Sequence, residues 1–153
     1  MLKYEVAVKL LLNMLMGKSS GLYEQLYDEG LLNSTFETDF TIEDSYAFSA
    51  LGGESKDPLK VRDRLRRTVD EAKKNGLDRE AYDRLIRSML GRYMRQFNSV
   101  ERISHTFISV YFKGVNMFDY LEVYDKISFE YVCKVFKEHF KEENLALSII
   151  KPV

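Results

Sequence analysis

Residues 17–40 read GKSSGLYEQLYDEGLLNSTFETDF, and their interpretation decides what kind of molecule this is. Gly17-Lys18-Ser19 is the tail of a phosphate-binding loop, in which backbone N–H groups and a lysine hold a nucleotide. The full loop also needs a glycine where this chain has Leu12, and a strand leading into it. Residues 2–16, LKYEVAVKLLLNMLM, are too long for one strand. Read as a helix, they place Val6, Leu10 and Met14 on one stripe and Ala7, Leu11 and Leu15 on the next, which makes a helix buried on most sides. The quoted stretch is therefore a stop and a restart between two helices. Gly17 ends the first as a C′ residue, and Lys18 lies near its carbonyl-rich end. Ser19 or Ser20 caps a short second helix, which Gly30 closes.

A hairpin follows. Phe36, Thr38, Phe40 and Ile42 alternate with Thr35, Glu37, Asp39 and Thr41, the period of a half-buried strand. Glu43-Asp44 supplies a tight turn, and Tyr46, Phe48 and Ala50 carry a second strand to Gly52-Gly53. Asp57-Pro58 is an N-cap with proline at the first helical position, and Gly76 stops the helix it begins. Asp78 starts another, with Ala81, Leu85, Met89 and Phe97 inward. Asn98 and Glu101 have capping-box spacing for a helix carrying Ile103, Phe107 and Val110. A short amphipathic piece at 118–126 and a helix from Ser128 to about Phe140 complete the helical run. Leu145, Leu147 and Ile149 alternate with Ala146, Ser148 and Ile150, a strand apolar on both faces that belongs inside the same sheet and stops at Pro152.

The sum is an α+β fold in two layers, helices on one face of a mainly antiparallel sheet, with residues 1–153 as a single domain or part-domain. At 153 residues the chain can bury a real core. Three strands and a first helix apolar nearly all round point to an incomplete sheet, part of a larger protein. They also predict self-association through the sheet edge and that helix.

Charge excludes several functions. The net charge is −1, so no overall field recruits nucleic acid or an acidic membrane. Residues 60–102 hold 13 Lys/Arg against 7 Asp/Glu, but Val61, Leu65 and Val69 make that helix's inner stripe and the basic groups a solvated face. No apolar run reaches membrane length, because Lys9 and Asn13 interrupt the only candidate. The single cysteine, Cys133, rules out an intrachain disulfide and, with no signal-peptide pattern, points to the cytoplasm. Chemistry is equally sparse. His105 and His139 lack a histidine partner at helical spacing, Cys133 sits among Val132 and Val135 as an inert thiol, and no nucleophile elbow exists. The residues nominate no catalytic and no metal-binding group.

The order of segments nevertheless resembles a known family. GKSSGLYEQLYDEGLLNSTFETDF is similar to the later, non-catalytic domain of the insulinase/pitrilysin-like zinc metallopeptidases, a family that includes the mitochondrial processing peptidases. There, a helix ends in a serine-bearing turn and a short helix leads into a strand; Leu22, Leu26, Glu29, Gly30 and Leu31 occupy that frame. SFEYVCKVFKEHF followed by NLALSIIKP resembles the family's closing helix and last strand. LYEQLYDEGLL, Gly52-Gly53 and NSVERISHTFISVYF resemble a bacterial cytoplasmic branch.

The resemblance implies a peptide hydrolase whose zinc lies outside these residues, since its His-x-x-Glu-His motif is absent here. It implies an N-terminal catalytic domain or partner subunit and a peptide substrate, this chain forming chamber wall and packing surface. A catalytically inactive structural or interaction subunit of the same fold is the alternative. Where many members carry a substrate-holding arginine and tyrosine, the matching positions are Tyr27 and Asn33. Neither offers arginine's fork of donors, so any clamp here is weaker.

Overall fold

The computed structural model describes residues 1–151. Helix α1 (Leu2–Met16) runs through the middle of the molecule. Val6, Ala7, Val8, Leu10 and Leu11 are completely buried and Leu12 nearly so. Around it lie α2 (Gly21–Asp28), the hairpin β1 (Glu37–Ile42) and β2 (Ala47–Gly52), α3 (Pro58–Asn75), α4 (Arg79–Met94), α6 (Asp119–Lys126) and α7 (Phe129–His139). Helix α5 (Val100–Tyr111) stands apart, packed mainly against a 3-10 turn at Arg95–Asn98. The chain's own elements thus cover α1, which is buried as its all-round hydrophobicity predicts and is not the open surface for self-association expected of an incomplete sheet. Uncovered apolar surface lies elsewhere, on α5 with Ile108 and Tyr111, at Phe112, and along residues 145–150.

The helix ends follow the sequence closely. Ser20, Asp57, Asp78 and Ser128 each accept a backbone N–H of the helix they begin. For α5 the cap is Ser99, one residue beyond the predicted Asn98, and the 3-10 turn consumes the difference. Gly30 and Gly76 end their helices at φ 67° and 85°. Gly17 works differently. Its φ of −71° is open to any residue, but a Cβ would lie 2.6 Å from the Asn13 carbonyl oxygen. Glycine is required there for close backbone approach, not for a left-handed turn.

In the hairpin, Glu43 N–H bonds the Tyr46 carbonyl, so Asp44-Ser45 forms the turn and Phe40 pairs with Ser49. This lies one residue beyond the predicted turn; both turns have two residues, so the pairing moves by two, from Phe40 opposite Ala47 to Phe40 opposite Ser49, and each strand keeps its faces. Ser49 and Leu51 join Phe40 and Ile42 toward the helices, while Phe48 and Ala50 face solvent. The helices therefore cover one face of an antiparallel sheet, an α+β arrangement. Among the described residues that sheet has two strands. Residues 145–150 do not join it. They are exposed and unpaired, contrary to the expectation of a buried inner strand. Two-faced apolarity makes a strand only where a neighbouring edge supplies hydrogen bonds.

Two tyrosines of α4 organise the far side. Tyr82 Oη donates to the Ile127 carbonyl at 2.5 Å and Tyr93 Oη to the Met117 carbonyl at 2.6 Å. These carbonyls flank α6, so α4 grips α6 at both ends. Burial pushes the Tyr93 hydroxyl up to about 12. It therefore remains a donor at every physiological pH.

Candidate functional site

The sequence nominated Tyr27 and Asn33, and the structure joins them through a residue that it did not. Ser20 caps α2 by accepting the Tyr23 N–H at 3.2 Å, which fixes the helix's first turn beside Lys18. One turn separates Tyr23 from Tyr27, and their rings stack at 5.8 Å. Tyr23 is part-buried and also packs on Phe36 at the foot of β1, whereas Tyr27 is 52% exposed. Tyr23 Oη donates to the Asn33 carbonyl at 3.2 Å. Tyr23 is therefore the bridge between the two nominated positions. Its only sequence signal is the i, i+4 spacing to another tyrosine.

Asn33 organises the loop between α2 and β1. Its Oδ1 accepts the Thr35 N–H at 2.9 Å and the Thr35 hydroxyl, and its Nδ2 donates to Glu54 at 3.0 Å. An amide nitrogen carries two hydrogens, so one donor of Asn33 remains for a ligand. Lys18 Nζ donates to the Ser34 carbonyl at 2.8 Å, and so binds this loop instead of the end of α1 predicted for it. Behind the site, Arg64 donates to Glu29 at 2.9 Å and to Gln25 at 2.7 Å, with Lys60 on the other Glu29 oxygen at 3.3 Å. These hydrogen bonds, Arg64's first, hold the Glu29 carboxyl below its ordinary range and dock α2 on α3.

The result is a shallow depression of about 290 Å³ between Lys18, Ser20 and the stacked tyrosines, with Glu24 and Asp28 on its rim. It offers an aromatic face, one ammonium already bonded to a carbonyl, and two carboxylates. Such a surface can bind a side chain and a few polar groups; it holds no base poised against a nucleophile.

The other titratable residues lie elsewhere. His139 is half-buried between Tyr4 and Ser49, with Nδ1 2.9 Å from Tyr4 Oη and Nε2 2.8 Å from Ser49 Oγ. Burial among Tyr4, Phe40 and Phe140 lowers its pKa. Cys133 is part-buried and its thiol is pushed up by burial. His105 is exposed on α5. Among the described residues no three His, Cys, Asp or Glu side chains could hold a metal ion together, and no helix is long and apolar enough to cross a membrane.

No known family profile matches the sequence. Over 152 residues, 99% of this chain, it is 30% identical to the uncharacterized zinc protease YmfH of Bacillus subtilis strain 168. The similarity is to one segment of that zinc protease. A crystal structure of an M16-like peptidase from Alicyclobacillus acidocaldarius has the same fold over 94% of the chain, with a TM-score of 0.88 at 22% identity. The chain spans 35% of the length of the first relative and 34% of the second.

Proposed function

We propose that this chain is the non-catalytic, C-terminal part of a cytoplasmic zinc-dependent peptidase of the insulinase/M16 type. It forms part of the wall of a peptide-holding chamber and packs against the domain or subunit that carries the zinc. The observation that carries this reading is the 30% identity to a zinc protease along 99% of the chain, which spans only 35% of that relative. The missing His-x-x-Glu-His motif agrees with a zinc site outside residues 1–153. Hydrolysis by the whole protein would use a zinc-bound water held elsewhere. In that assembly Tyr27 supplies an aromatic surface and a hydroxyl to the substrate, and Asn33 its remaining amide hydrogen.

Two measurements test this proposal on the purified chain. Metal analysis without chelators should find well under one zinc per chain, and quenched fluorescent peptides should remain uncut; stoichiometric zinc with cleavage would overturn the non-catalytic role. Fluorescence anisotropy with a labelled extended peptide should show weak binding that Tyr27→Ala and Asn33→Ala both reduce. Binding indifferent to both substitutions would remove these residues from the substrate path.

A further inference from the structure

His139 ties three elements together. It is the last residue of α7, and its ring reaches Tyr4 Oη of α1 through Nδ1 and Ser49 Oγ of β2 through Nε2. A neutral imidazole has one N–H and one lone pair, so one of these hydroxyls donates to the ring and the other accepts from it. A phenol is the stronger acid and the better donor. The network therefore assigns Tyr4 as donor to Nδ1 and Ser49 Oγ as acceptor from Nε2–H. An imidazolium has two N–H groups and no lone pair. A proton on Nδ1 then confronts the Tyr4 hydroxyl hydrogen, the bond between α7 and α1 is lost, and Ser49 alone remains as a partner for the cation.

The surroundings disfavour that cation. Phe40 of β1 and Phe140 stand edge-on to the ring, at 5.6 and 5.1 Å. From α1 the titratable group facing it is Tyr4, whose hydroxyl is pushed up by burial and then by the charge of Glu138, and so stays neutral. From β2 it is Ser49, which does not titrate. Glu138, beside it on α7, is exposed and lies 4.0 Å from Lys134. The carbonyl-rich end of α7 favours a positive charge, but burial outweighs it and lowers the His139 pKa. The cheapest relief is local. The Phe140 N–H reaches the Phe136 carbonyl at 3.4 Å, a long bond, whereas Val135 and Phe136 one turn earlier are buried. Unwinding this single turn carries the ring into water and leaves those anchors in place.

We propose that the Tyr4–His139–Ser49 contact is a proton-operated latch, in which uptake of a proton at His139 frays the last turn of α7 away from α1 while the helical core stays folded. The released ring titrates near 6.5 and the latched ring below it. The latch is thus closed above about pH 6.5 and opens as pH falls through the folded value. All its members belong to this chain, and the inference does not depend on the peptidase reading.

Amide hydrogen exchange of the whole chain, followed by NMR, tests the latch. Protection of residues 138–140 should fall about fivefold or more between about pH 7.5 and about pH 5, the weight of one hydrogen bond, and these amides should exchange faster than those of α4 at both values. His139→Gln, which does not titrate in this range, should abolish the fall. Tyr4→Phe removes the bond in advance, so it should lower the turn's protection about fivefold at neutral pH and move the midpoint of the fall toward 6.5. Protection of the turn that is independent of pH, or that falls equally in His139→Gln, would overturn the proposal. So would a turn that opens only together with α4, or a Tyr4→Phe variant in which neither quantity changes.

Discussion

Replacing Leu10 by alanine should destabilise the isolated chain by about 4 kcal/mol. Leu10 is 0% exposed, and α1 is surrounded by α4, α6, α7 and β1. The carbons lost beyond Cβ are worth about 0.8 kcal/mol each in transfer from water, about 2.4 kcal/mol together. A helix walled on several sides cannot collapse into the gap, so a cavity term of roughly 1–2 kcal/mol adds to this. For a domain of this length the melting temperature should fall by about 10 °C. Urea unfolding followed by circular dichroism gives the measurement, with Ile108→Ala as a control. Ile108, 55% exposed on α5, should cost no more than about 0.5 kcal/mol. A loss below about 1 kcal/mol at Leu10 would mean that α1 is not enclosed by this chain, and the reasoning about its packing would fail.

Other perturbations follow from single contacts. Gly17→Ala drives a methyl group to within 2.6 Å of the Asn13 carbonyl oxygen and should cost about 1–3 kcal/mol by urea unfolding. Tyr93→Phe leaves the buried Met117 carbonyl without its tyrosine donor, a loss of about 1–3 kcal/mol measured the same way. His139, held neutral by burial, has a folded pKa below its unfolded value near 6.5. The unfolded chain therefore takes up the proton first, and stability contributed at neutral pH is lost as pH falls from about 6.5 through the folded pKa. Comparing urea midpoints at both ends of that window should show a drop that His139→Gln makes smaller; an unchanged drop would place the titration elsewhere.

Much of this fold is legible because local chemistry decides it. Asp57-Pro58, Asp78 and Ser128 cap their helices where the sequence places them, since a short polar side chain before an apolar stripe satisfies backbone donors that nothing else can reach. The hairpin shows where such reading stops. Alternation located both strands, but Glu43-Asp44 and Asp44-Ser45 are equally good turns, and the choice decides whether Phe40 lies opposite Ala47 or Ser49. Residues 145–150 have the composition of an inner strand, yet a strand is a relation between two segments and the second is not encoded in the first. The candidate site was half visible for the same reason. Tyr27 and Asn33 could be nominated by position, but the Tyr23 hydroxyl that connects them spans a helix and a loop.

The two tyrosine hydroxyls on α4 also make the intervening chain a side branch. The backbone departs at Met94 and is back beside the same helix at Met117, where Tyr93 receives it. Everything between, α5 included, leaves and returns at this neck and is tied elsewhere by Lys113, whose ammonium donates to Glu43 of the hairpin at 2.6 Å, while α6 continues the main path. Such a branch can lengthen, shorten or be replaced by a brief linker with little effect on the trunk, provided Met117 still returns to Tyr93. It is the natural place for this architecture to accept a graft, and the part most free to diverge.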